Sequence, residues 1–168
     1  MKVRRIVAAL HLHDPPGGRV AAIAELARRN QAELLGLFIE DIELLHFAAL
    51  PFACEVGAAS ALGRSVDVAA MERFMRVRAD ELRTELADAL AGEHVPWSFR
   101  VERGTLPRQA LAAGIEQPGP TLLLPPQVDL DQKAQVVCFD ELTEPRLRSL
   151  LQRRRPVLIV PSSPASGA

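Results

Sequence analysis

Short apolar runs alternate along this chain with longer stretches whose apolar positions recur at helical spacing. Val3–Leu10 is brief enough for a strand and lacks polar alternation, which predicts a strand buried on both faces. Leu12-His13-Asp14-Pro15-Pro16-Gly17-Gly18 breaks the chain, and Val20, Ile23, Ala24 and Ala27 then predict a helix to about Asn30. Glu33–Glu40 is again a buried-type strand, so the opening segment reads as a β-α-β unit with parallel strands. Asp41–Leu50, with Leu44, Leu45 and Phe47, predicts a short helix before a small-residue connection around Pro51, Gly57 and Gly63. From Asp67, the stripe Met71, Met75, Leu82, Leu86 and Leu90 predicts a long amphipathic helix ending near Gly92.

In the second half, Trp97, Phe99 and Val101 alternate with Ser98, Arg100 and Glu102, the period-two pattern of a strand with one wetter face, as at a sheet edge. Thr105 can cap a helix carrying Leu106, Ala110 and Leu111, which Gln117-Pro118-Gly119-Pro120 ends before a buried strand at Thr121–Leu124. Ala134–Phe139 reads as a further strand, and Thr143 caps a helix with Leu147, Leu150 and Leu151 whose basic end, Arg153-Arg154-Arg155, suits its dipole. Pro156–Val160 is the last strand, residues 1–161 form the domain, and 162–168 read as a disordered tail. The whole is an α/β fold, a mostly parallel sheet of five or six strands with helices on both faces. Ligands of such sheets bind beyond the carboxyl ends of the strands, where strand order reverses. The cleft candidates are therefore His11, His13 and Asp14 after the first strand, Glu40 and Asp41 after the second, and Pro125, Pro126 and Gln127 after the fourth.

Composition narrows the function more than the fold. Twenty cations, all arginine except Lys2 and Lys133, nearly balance twenty-one anions, which leaves no surplus to neutralise nucleic-acid phosphates. No apolar run is long enough to span a membrane, and Cys54 and Cys138 lie far apart without a metal or redox spacing, so a reducing cytoplasm is the expected setting. Cys54, with no cation beside it to lower its pKa, reads as a packing residue. No GxSxG, HExxH or P-loop motif occurs, so nothing points to an enzyme.

The chain resembles the universal stress protein family. The resemblance rests on Ile6-Val7-Ala8-Ala9-Leu10, the helix Ala21–Ala27, Ala32–Asp41, the long helix to Leu90, Trp97–Gly104 and the closing Arg155–Pro161, in order over nearly the full length. It implies a Rossmann-like fold of the adenine nucleotide alpha hydrolase type, with a five-stranded parallel sheet. It also implies a homodimer formed through the last strand, here Val157, Leu158, Ile159 and Val160. One branch of the family binds ATP or AMP with an aspartate ending the first strand and a G-x2-G-x9-G-[ST] stretch after the fourth. Here His11 takes the aspartate position, and no glycine occurs between Thr121 and Val160. Pro125 and Pro126 supply no N–H donors, and Asp129 and Asp131 repel phosphate.

The expected function is a non-catalytic, homodimeric stress-response or regulatory binding module without a cofactor, partnered by its own copy or by an unidentified protein, and not by nucleic acid or membrane. The alternatives are an ATP- or AMP-binding member with an altered phosphate grip, and a metal-dependent hydrolase built on His11, His13 and Asp14. Residues 134–161 read either as a shortened remnant of a second repeat or as an insertion of one extra strand.

Overall fold

The computed structural model describes residues 2–14, 17–51, 54–56, 63–65 and 67–162. Pro15, Pro16, Gly57, the surroundings of the Cys54 side chain and the expected tail beyond Ser162 lie outside the described residues. The elements in order are β1 (Arg5–Leu10), α1 (Gly18–Asn30), β2 (Glu33–Asp41), α2 (Ile42–Ala48), β3 (Cys54–Val56), β4 (Gly63–Ser65), α3 (Val68–Leu90), β5 (Trp97–Gly104), α4 (Leu106–Gly114), β6 (Thr121–Leu124), β7 (Gln135–Cys138), α5 (Glu144–Leu151) and β8 (Val157–Val160). A 3₁₀ turn, Phe139–Glu141, links β7 to α5.

Six strands form one sheet in the order β5-β2-β1-β6-β8-β7, and β3 and β4 form a separate antiparallel hairpin. The β1 strand is buried along its whole length, and its alternate side chains feed two cores. Ile6, Ala8 and Leu10 meet α1 and α3, through Ile23, Ala27, Met75, Leu82 and Leu86. Val7 lies on the opposite face, in the cluster that holds Ala110 and Ala113 of α4 and Leu147 and Leu151 of α5. Each fully buried Leu or Ile contributes about 1.5–3 kcal/mol of transfer free energy, and both faces of the central strands are covered, so the continuous apolar runs of β1, β2 and β6 follow from their position.

The sheet is mostly parallel, since β5, β2, β1 and β6 share one direction. The β8 strand pairs antiparallel with β6, and β7 runs parallel to β8, so the last two strands are reversed. The physical reason lies in the connection: a parallel return needs a crossover of about a dozen residues or more, usually helical, and residues 125–134 carry no helix. The all-parallel, five-stranded sheet implied by the family resemblance is thus replaced by a mixed sheet of six.

The last strand, Val157, Leu158, Ile159 and Val160, through which the resemblance implies a homodimer, is not at an edge of the sheet. The β8 strand is paired on both sides, with β6 through Leu123↔Val157 and with β7 through Gln135↔Val157, and Val157 and Ile159 are buried. Residues 135–138 enter the sheet outside β8 and take the edge from it. At the opposite margin, β5 is an edge strand as its alternation implies.

Polar ties hold the strand ends. The buried Arg5 guanidinium donates to the Ala113 carbonyl at 2.8 Å, and Arg100 grips both oxygens of Glu116 at 2.8 Å. The Arg100 hydrogen bonds hold the Glu116 carboxyl below the ordinary carboxylate value of 4.5. A depressed folded pKa contributes stability above pH 4.5 that is lost as pH falls through the lowered value. Glu116→Gln is therefore expected to flatten the acid side of the stability curve below pH 4.5, by under about 1 kcal/mol because the pair is exposed to solvent. Urea midpoints measured against pH for both proteins check this, and parallel curves would contradict it.

Candidate functional site

The strand order reverses between β1 and β6. The chain leaves β1 toward β2 through α1 and later returns to β6 through α4 on the other face, so the carboxyl ends of β1 and β6 splay apart around a crevice. Here the crevice holds the protein's own polar groups, and a cavity of about 490 Å³ opens beside Arg19 and residues 127–130.

Asp14 is buried directly beyond β1. Its Oδ2 accepts the His11 backbone N–H at 2.6 Å, and its Oδ1 accepts the Gln127 N–H at 3.2 Å, so one carboxylate ties the β1 loop to the turn after β6. Its charge is met by Arg19 in the first turn of α1, whose Nη1 lies 3.3 Å from Asp14 Oδ2. Arg19 Nη2 donates to the carbonyls of Ala9, next to last in β1, at 3.2 Å and of Pro125, the first residue after β6, at 2.6 Å. Burial pushes the Arg19 guanidinium below its ordinary value, and Asp14 opposes that shift. The Asp14 carbonyl in turn accepts from Arg78 of α3 at 2.8 Å.

Of the five backbone N–H groups between Gln127 and Asp131, four donate within the protein. Pro125 and Pro126 lack N–H groups. Val128 N–H closes the turn on the Pro125 carbonyl at 3.2 Å, with Pro126 in the second position and Gln127 left-handed at φ 55° in the third. Asp129 N–H donates to the Arg154 carbonyl at 2.9 Å, and Asp131 N–H to Asp129 Oδ1 at 3.1 Å. The amides of Gln127, Val128, Asp129 and Asp131 are all spent inside the protein.

The cleft candidates thus separate into three groups. His11, His13, Pro126 and Gln127 line a groove of about 450 Å³ together with the first turn of α4 and with Arg148, Gln152 and Arg154 at the end of α5. Asp14 and Pro125 lie beneath it as buried ties. Glu40 and Asp41 do not reach the groove: Glu40 pairs with Arg103 at 3.0 Å, and Asp41 caps α2 by accepting Glu43 N–H at 2.9 Å. Thr105 sits at the N-cap of α4 without a side-chain cap bond, whereas Thr143 caps α5 by accepting Arg146 N–H at 3.4 Å.

His11 Nδ1 accepts the His13 backbone N–H at 3.3 Å, and the two rings are 5.3 Å apart. Burial, and then the neighbouring His13, lower the His11 pKa, against the opposing pull of Asp14 and Asp41. The metal alternative needed Asp14 to join these rings, but that carboxylate is turned to Arg19 and two backbone amides. Among the described residues no group of three His, Cys, Asp or Glu side chains converges.

Arg19, Arg148, Gln152 and Arg154 escape the sequence reading. Arg19 directly follows Gly17-Gly18 at a helix start, which is the one available signal, while the other three depend on the reversed course of α5 and β8. Among the described residues, no helix is long and apolar enough to cross a membrane. The chain matches no protein-family model and no curated protein.

Proposed function

We propose that this chain is a non-catalytic binding module of the universal-stress type, a homodimer of the cytoplasm, whose switch-point crevice takes no ATP or AMP. The observation that carries the reading is the hydrogen-bond accounting of the turn after β6. A polyphosphate at that place needs backbone N–H groups aimed outward, and those of Gln127, Val128, Asp129 and Asp131 already donate within the protein. Binding there would have to break these bonds and displace the Asp14–Arg19 pair, each step costing more than an exposed loop would. What stays open to a ligand is the groove beside the crevice, lined by the side chains of His11, His13, Gln127, Arg148 and Arg154, and a second cavity of about 490 Å³ bounded by Arg19, Gln127, Val128, Asp129 and Leu130.

Calorimetric titration of the full chain with ATP and with AMP, each with and without Mg²⁺, tests this reading. The expected result is no saturable heat at micromolar nucleotide and no phosphate release above the buffer blank. Micromolar binding would overturn it in favour of a nucleotide-binding member.

A further inference from the structure

The sheet ends in two margins of opposite character. The β5 margin carries Arg100, Glu102 and Arg103, charged side chains of the kind that guard an edge against pairing with another chain. The β7 margin is Gln135-Val136-Val137-Cys138, with no charge, proline or glycine. Val136 is 63% exposed and Phe139, at the strand's end, 41%.

The backbone direction of this edge is set by one bond. Gln135 N–H donates to the Pro156 carbonyl at 2.8 Å, so Gln135 and Val137 turn their peptide groups toward β8, and by strand alternation Val136 and Cys138 turn theirs outward. The flanking charges are polarised. Lys133 precedes the strand, with Arg155 donating to its carbonyl at 2.8 Å, and Asp140 and Glu141 follow it. A second copy laid antiparallel places the cationic end of each strand on the anionic end of the other, whereas a parallel copy would set like on like.

We propose that two copies of this chain join their sheets through antiparallel β7 edges, with Val137 on the twofold axis. In this register Val136 of one copy faces Cys138 of the other as a hydrogen-bonded pair, and Lys133, just before the strand, lies toward the acidic Phe139–Glu141 turn of the other copy. The arrangement is isologous, each copy offering the same patch, and the charge match selects a second copy over an unrelated strand. The interface rests on the homodimeric reading above, and the test separates the two.

Sedimentation equilibrium of the full chain at high micromolar concentration is the measurement. The wild type is expected to be dimeric. Val136→Pro removes an N–H that only the second copy uses, so the variant is expected to keep its circular dichroism and become monomeric. Val137→Pro breaks the β7 pairing to β8 within one chain and serves as the folding control. Lys133→Glu, which touches no internal strand bond, is expected to weaken the dimer about tenfold at low salt, and adding Asp140→Lys, in the turn after β7, is expected to restore it. A monomeric wild type would overturn both the homodimer and the interface. A dimeric wild type that survives Val136→Pro, or that ignores Lys133→Glu if the proline variant fails to fold, would overturn the interface alone.

Discussion

Asp14→Ala is expected to lower the unfolding free energy by about 3–5 kcal/mol, the usual loss when one member of a buried ion pair is removed. The side chains of Asp14 and Arg19 are 1% and 9% exposed, so the substitution leaves a largely buried guanidinium without its carboxylate. It also leaves the His11 and Gln127 amides without their acceptor and cuts the direct link between the β1 loop and the β6 turn. Arg19→Met alone is expected to be damaging for the mirror reason, a buried carboxylate facing no cation. The double variant Asp14→Asn, Arg19→Met is expected to lose less than the sum of the singles, because no charge remains buried and the amide side chain can still accept one N–H. Urea denaturation of the four proteins measures this, and a loss under about 1 kcal/mol for Asp14→Ala would show that the pair is peripheral.

Gly36→Val is expected to cost about 1–3 kcal/mol through overpacking. Gly36 lies in the middle of β2, paired on both sides, where glycine weakens a strand unless something must approach closely. A Cβ placed there meets Phe99 Cδ2 at 2.9 Å and Leu86 Cδ2 at 3.1 Å, the two side chains that bring β5 and α3 onto the sheet. Alanine is expected to be milder, since the contact is with the edge of a ring that can shift, whereas the branched valine also presses on Leu86. Thermal unfolding of Gly36→Ala and Gly36→Val orders the two, and a Val variant as stable as wild type would contradict the packing described here.

The elements most legible in the sequence are those whose burial is repeated along them. β1 and β6 are apolar throughout, and α3 shows Met75, Leu82, Leu86 and Leu90 on one face. The edge position of β5 is legible too, although its exposure does not alternate as expected: Trp97 and Val101 meet solvent along with the polar residues between them. The reversal of β8 is not legible, because Val157–Val160 has the same pattern whichever way it runs and direction is set by the connection before it. Nor is the β3–β4 hairpin, whose strands are short and sit in a stretch rich in small residues.

The site shows the same division. Its location follows from strand order, and the expectation that no phosphate cradle forms there rests on two prolines and the missing glycines. The role of Asp14 does not follow, because an acidic residue beyond a strand looks the same whether it faces a ligand or a buried arginine. Its partner Arg19 stands across two glycines and a helix start, a spacing no periodic pattern marks. The basic run after α5 also does more than answer a helix dipole: Arg153 reaches Gln135 at 3.4 Å and Arg155 reaches the Lys133 carbonyl, which anchors the entry to β7.

The proposal that the crevice takes no nucleotide is best tested by amide chemical shifts of the isotope-labelled chain titrated with Mg²⁺ and ATP. The amides of His11, Gln127, Val128 and Asp129 are expected to stay in place, because each already donates to a group of the protein. Saturable shifts of the Gln127 and Val128 amides at micromolar ATP would contradict the reading, by showing that the turn opens and lends its main chain to the phosphates.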